Sequence, residues 1–116
     1  MKIRLILFVV FYVSTNIIAQ NIYAHIPHEI DTSKKYLFYL HGVIIENQGI
    51  KAVSEKYGAY EFEKILKSLT INNINVISET RHKNTDIFEY VKKSCFSNRY
   101  IIKSGVLPKN ITVVGA

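Results

Sequence analysis

The side chains with obvious chemical potential in this sequence of 116 residues are few. His25 and His28 have a spacing that occurs in metal sites. No further Cys, His or carboxylate follows at a known ligand spacing, so surface residues are the better interpretation. Cys95 is the one cysteine, so it has no partner for an internal disulfide. No activating base is placed beside it, which favours a small buried hydrophobe over a nucleophile. The sequence therefore predicts no metal site and no cofactor.

Polar residues also lie in the segments that follow the apolar runs of the chain. Glu46, Glu79 and Arg81 are in such segments and are predicted to face a common cleft. Arg81 in that position can bind an anionic group of a substrate. The alternative is a surface ion pair of Arg81 with Glu79 or with Glu46, which binds no ligand.

Regular elements must position these residues. Tyr36 to Leu40 are apolar on both alternating faces, which is typical of a strand covered on both sides in a parallel sheet. Residues 43–59 contain glycines and no sustained periodicity, so they are predicted to form a long loop with a functional role. The other predicted elements are a short strand within 21–26, helix 60–69, strand 74–78, a helix from the capping residues 84–86 to about 104, and strand 110–114.

Each predicted helix has one apolar face. In the first helix that face recurs at i, i+3, i+4 and i+7, which is typical of a stripe packed on a core: Phe62, Ile65, Leu66 and Leu69. In the second helix the predicted buried face consists of Phe88, Val91, Cys95 and Ile102, widened by Ile87, Phe96 and Ile101. Asn72-Asn73 and Gly105 are predicted to end the two helices, because these residue types tolerate left-handed backbone conformations.

The order strand, helix, strand, helix, strand predicts a parallel sheet with right-handed crossovers. If the third of these strands lies on the other side of the first, the two helices cover opposite faces of the sheet. A crevice then opens at the carboxyl ends of the strands, at the point where the winding direction reverses. His41-Gly42 and Gly115-Ala116 would both arrive at that crevice.

Two segments resemble parts of the α/β-hydrolase superfamily. Residues 36–42, Tyr-Leu-Phe-Tyr-Leu-His-Gly, resemble its strand and His-Gly oxyanion loop. Residues 105–116 resemble the approach to its nucleophile elbow, which reads G-x-S-x-G. The resemblance extends from about Lys34 to Ala116. It implies a partial parallel, doubly wound sheet of the α/β-hydrolase type, with three main strands and two crossover helices, corresponding to the N-terminal half of such a domain.

The resemblance also implies roles for individual residues. The backbone at Gly42 and Val43 would form part of the oxyanion hole, with Val43 as the N–H donor, and His41 would organise the loop. Gly115 would be the first glycine of the elbow and Ala116 the residue before the nucleophile. The nucleophile, acid and base are not among these 116 residues, so this polypeptide alone is expected to have no hydrolase activity. The full-length parent would act on a small-molecule ester or acyl substrate.

The first residues have the pattern of a secretory signal. Lys2 and Arg4 precede an apolar run, and cleavage after Ala19 would leave a lead-in at 20–33 and the domain at 34–116. The alternative cleavage site is after Ala24. The chain is therefore predicted to be exported, secreted or periplasmic, with no stable membrane span after cleavage. The alternative is a membrane protein anchored by an uncleaved leader.

The distribution of charge disfavours nucleic acid as a partner. The formal net charge is +6, and without Lys2 and Arg4 it is about +4 (13 basic against 9 acidic residues). These basic residues are spread along the chain without interleaved aromatic residues, so nucleic-acid binding is not predicted.

Two other functions remain open. One is a small secreted, non-catalytic α/β protein that binds a partner or has a structural role. The other is a non-hydrolase α/β domain that binds a nucleotide at a glycine turn. The absence of G-x-G-x-x-G or a P-loop after the first predicted strand disfavours the second.

Overall fold

A computed structural model describes residues 21–116 of the chain. The predicted signal peptide at 1–19 lies outside the described residues. Among the helices of residues 21–116, none is both long enough and apolar enough to cross a membrane.

Six strands and three helices make up the described part of the chain. In chain order they are β1 (Ile22–Tyr23), β2 (Tyr36–Leu40), α1 (Val43–Gln48), β3 (Val53–Ser54), β4 (Gly58–Ala59), α2 (Phe62–Leu69), β5 (Asn75–Ile77), α3 (Ile87–Lys103) and β6 (Ile111–Gly115). Single 3-10 turns at 71–73 and 108–110 precede β5 and β6.

The main sheet is parallel and has four strands in the order β1-β5-β2-β6. The predicted parallel sheet is therefore confirmed, and β6 lies on the other side of β2 from β5. The short segment before Pro27 adds β1 as a fourth strand, next to β5. β3 and β4 form a separate antiparallel hairpin.

The sheet has an apolar cluster on each face, because successive side chains of β2 point in opposite directions. Leu37 and Tyr39 pack with α1 and α2 on one face. Tyr36 and Phe38 pack on the other face with Ile101 of α3. The two crossover segments thus cover opposite faces. The predicted stripe of α2 faces the first cluster, where Phe62 and Leu66 are buried and Ile65 and Leu69 partly buried.

The predicted ends of α3 are found, whereas α2 ends earlier than Asn72. The C-cap of α2 is Thr70, with φ of −78°, and Asn72 and Asn73 have φ of 61° and 62° in the 3-10 turn that follows. Asp86 caps α3 by accepting hydrogen bonds from the N–H groups of Phe88 and Glu89. At the other end of α3, Gly105 has φ of 108° and its N–H donates to Ile102. The Val106 N–H donates to Ile101, and both of these side chains are buried, as in a Schellman motif.

The structure corrects the predicted loop at 43–59. This segment contains α1 and the β3–β4 hairpin, and it buries Ile45 and Ala52 against the first cluster. Elements this short contain too few residues to show a helical or strand period, so the sequence pattern does not reveal them.

The predicted buried face of α3 is wrong except for Ile101, which is buried. Phe88 is 79% exposed, and Val91, Cys95 and Ile102 are also exposed. The helix instead turns a more polar face inward, with residues 90, 94, 97 and 98 partly buried and Ile101 fully buried. Ser94 and Ser97 of this inward face line a cavity beside Phe38 of β2. Cys95 is correspondingly an exposed thiol and not a buried hydrophobe.

Candidate functional site

The two segments that carry the family resemblance meet at the carboxyl edge of the sheet. Leu40 of β2 pairs with Gly115 of β6, and the Ala116 N–H donates to the Leu40 carbonyl at 3.0 Å. A Cβ atom added at Gly42 would lie 3.7 Å from the Ala116 carbonyl oxygen. The chain just after β2 is therefore in contact distance of the end of β6, at the crevice expected from the strand order.

His41, between Leu40 and Gly42 in the chain, is 1% exposed. Its Nε2 accepts a hydrogen bond from the backbone N–H of Arg81 at 2.9 Å, and its Nδ1 lies 3.0 Å from the Gly42 carbonyl oxygen. Because Nε2 is the acceptor, the proton of the neutral ring is on Nδ1, which donates to Gly42. Burial lowers the pKa of His41, the positive charge of Arg81 lowers it further, and the hydrogen bond to Gly42 opposes both effects.

The Arg81 side chain closes a second part of the same network. Its Nη2 donates to the His41 carbonyl at 2.5 Å, and its Nε donates to the Glu46 carboxylate of α1. The Arg81 and Glu46 side chains are only 8% and 10% exposed. The guanidinium also lies over the ring of Tyr90 in α3, 4.8 Å from its centre. Of the two ion pairs considered for Arg81, the one with Glu46 forms, and it is buried. Glu79 pairs with Lys93 at 2.5 Å.

This arrangement limits what Arg81 can do. Its guanidinium already has a carboxylate, a carbonyl and an aromatic face as partners, and little of it reaches solvent. A substrate anion would have to compete with Glu46 for it. The geometry is that of a side chain that holds two loops together.

The peptide between Gly42 and Val43 lies at the start of α1. Its carbonyl oxygen accepts hydrogen bonds from Ile45 N–H at 3.1 Å and from the His41 ring. Val43 is the first helical residue, so its N–H has no acceptor within the helix. The side chain of Val43 is largely exposed. Gly42 has φ of −70°, and the 3.7 Å to Ala116 is an ordinary contact, so no steric reason requires a glycine at this position.

A cavity of about 280 Å³ lies next to this network, between α3 and the carboxyl edge of the sheet. Apolar groups of β2 and β5 and the polar inward face of α3 line it, among them Phe38, Ile77, Tyr90, Ser94 and Ser97. His25 also lines the cavity. His25 and His28 alone are too few ligands for a metal site. Among residues 21–116, no group of three or more His, Cys, Asp or Glu side chains is placed to hold a metal ion.

Sequence reasoning missed two residues that shape this site. Tyr90 stacks against Arg81. The ring of Phe62 in α2 lies edge-on to the His41 ring, with 5.9 Å between the ring centres and 84° between the ring planes. Both come from helices distant in sequence. No spacing rule connects them with His41, and the apolar period of α2 indicated only that Phe62 is buried.

The chain matches no protein-family model, and no curated protein and no solved structure shows significant similarity to it. The fold defines its class as an α/β protein with a parallel sheet.

Proposed function

We propose that this chain forms the N-terminal part of an exported serine hydrolase of the α/β type that acts on ester or acyl substrates. The observation that supports this most is the close approach of Gly42, just after β2, to Ala116 at the end of β6. In such enzymes the oxyanion donors come from the loop after one strand and from the nucleophile turn after its neighbour, so these two segments must meet.

In this proposal the Val43 N–H is one donor to the oxyanion of the tetrahedral intermediate. The second donor is the N–H of the residue after the nucleophile, and the nucleophile is a serine that follows Ala116 directly. Preformed donors stabilise charge that develops in the transition state, and loss of one donor costs roughly 3 kcal/mol in hydrolases of this kind. The base and the acid follow the serine in the chain.

Two observations fit this assignment of roles. His41 is buried with both ring nitrogens in hydrogen bonds, so it is not available as the catalytic base. The cavity beside Tyr90 reaches Leu40 at the carboxyl end of β2, and its apolar and hydroxyl-bearing walls, with the charged Glu79 and Lys93 among them, leave room for a small polar acyl group.

The test begins with the gene. We expect the codons after Ala116 to encode Ser-x-Gly, with an acidic residue and a histidine downstream. The full-length product should hydrolyse p-nitrophenyl esters and react with a fluorophosphonate, and peptide mapping should place the label on that serine. The matched control replaces the serine by alanine and should abolish both. A different residue after Ala116, or a folded full-length protein without labelling, would refute the proposal.

One observation favours the non-catalytic alternative, a secreted binding protein. Phe88, Val91 and Phe96 of α3 are each more than half exposed, and exposed apolar groups of this kind are typical of interaction surfaces. The labelling experiment separates the two functions, because a binding protein has no reactive serine.

A further inference from the structure

The Gly42–Val43 peptide has a fixed orientation because its carbonyl has two donors. Ile45 N–H and the His41 ring both point at the Gly42 oxygen, at 3.1 and 3.0 Å. In a planar trans peptide the C=O and the N–H point in opposite directions, so the Val43 N–H points away from the Gly42 carbonyl. The groups that hold the carbonyl inward therefore turn the Val43 N–H away from the His41 ring and out of the network.

The His41 ring, in turn, is held by Arg81. The backbone N–H of Arg81 donates to Nε2 of His41, so in the neutral ring the proton must be on Nδ1. Only that form of the neutral ring can donate to the Gly42 carbonyl. The Arg81 guanidinium holds the His41 carbonyl as well, so one residue contacts both the ring and the backbone of His41.

Glu46 completes the connection. It lies in the first turn of α1, three residues after Val43, and its carboxylate accepts from Arg81. The ion pair thus ties the start of α1 to the segment after β5, across 35 positions of sequence. Both side chains are nearly excluded from solvent, which makes the geometry of the pair rigid compared with the exposed pair Lys64–Glu61.

We infer that Glu46 and Arg81 are positioning residues for the oxyanion hole, acting through His41 to aim the Val43 N–H. The inference rests on the proposed function, since it assigns a task within that site. It also excludes the role of Arg81 as a substrate-anion ligand, because the guanidinium serves the loop.

The kinetic test uses the full-length protein and p-nitrophenyl acetate. Glu46→Gln and Arg81→Lys should each lower kcat roughly 10- to 100-fold, the scale that a displacement of about 1 Å produces in an active site. KM should stay within about twofold, because the donor acts on the transition state and not on bound substrate. Glu61→Gln, in the exposed pair with Lys64, is the matched control and should leave both constants unchanged. All variants are assayed well below their melting temperatures, with folding checked by circular dichroism.

A second readout does not depend on catalysis. Nitrogen-15 NMR of the histidine rings of the full-length protein, with His41 assigned by a His41→Asn variant, should show His41 protonated on Nδ1 at neutral pH. Glu46→Gln and Arg81→Lys keep the backbone N–H at position 81 but weaken the side-chain contacts that hold its segment against His41 and α1. The His41 signals in these variants should therefore move toward those of a ring that exchanges its proton between both nitrogens.

The outcomes separate the two proposals. A wild-type protein that hydrolyses the ester while Glu46→Gln keeps its kcat would overturn the positioning role alone. The same holds for a wild-type His41 protonated on Nε2. A folded wild-type protein with the Nδ1-protonated His41 but without hydrolysis or labelling would overturn the hydrolase function, and the catalytic task of the pair with it.

Discussion

Replacement of Glu46 by glutamine should cost far more stability than the same change in an exposed ion pair. In the Arg81–Glu46 pair the side chains are 8% and 10% exposed, whereas in the Lys64–Glu61 pair they are 75% and 55% exposed. Glu46→Gln leaves the buried guanidinium without a counter-charge. Glu61→Gln leaves Lys64 in water.

The expected magnitudes follow from that difference. Breaking a buried pair by removing one partner costs about 3–5 kcal/mol. The lower end, about 3 kcal/mol, applies here because a glutamine oxygen can still accept from the Arg81 Nε. Breaking the exposed pair costs roughly 0.2–1 kcal/mol. The full-length domain is expected to be about twice as long as these residues, and for a domain of that size 1 kcal/mol shifts Tm by roughly 2–4 °C, so Glu46→Gln should lower Tm by about 6–12 °C.

The assay is urea and thermal unfolding of the full-length wild type, Glu46→Gln and Glu61→Gln, followed by circular dichroism. Glu46→Ala extends the series, since it also removes the acceptor and should cost more than glutamine. Equal losses of unfolding free energy in Glu46→Gln and Glu61→Gln would refute the reasoning, because only the Arg81–Glu46 pair is buried.

Three further measurements test other parts of the structure. Ile101→Ala should lower the free energy of unfolding by about 2–5 kcal/mol and Ile102→Ala by less than about 1, since only Ile101 is buried; equal losses in urea unfolding would contradict the observed face of α3. Asp86→Ala should cost about 1 kcal/mol in the same assay, because two N–H groups lose their acceptor, while Asp86→Asn should cost much less. Burial lowers the folded-state pKa of His41, so the unfolded state takes up the proton first as the solution is acidified. Stability from this group is complete above about pH 6.5 and should fall below it, less steeply in His41→Asn, and equal slopes for the two proteins would count against this assignment.

Several elements were predictable because their signals are local. The apolar residues of α2 recur with the helical period, and that face is the one against the sheet. Asp86 begins α3 because its side chain accepts hydrogen bonds from the first N–H groups of the helix. Gly105 ends it because glycine readily adopts the left-handed backbone conformation found there, and both effects depend on neighbouring residues only. The strand β2 is recognisable because both of its faces are apolar.

The face of α3 was not predictable in the same way. Apolar side chains occur on several sides of this helix, so its periodicity selects no single face, and the structure packs Ile101 against Tyr36 and Phe38. Phe88 and Cys95 therefore point outward although their residue types suggest burial. A helix with no single apolar stripe takes its orientation from its neighbours.

The sequence by itself determined the parallel α/β class, the ends of α3 and the position of His41-Gly42 after a buried strand, because these depend on local periodicity and backbone preference. Only the tertiary structure decided that Arg81 is buried against Glu46 and that its N–H selects the protonation of His41. Those contacts join residues 35 and 40 positions apart. They form because the carboxyl ends of parallel strands meet at one edge, and no spacing along the chain records which loop residues meet there.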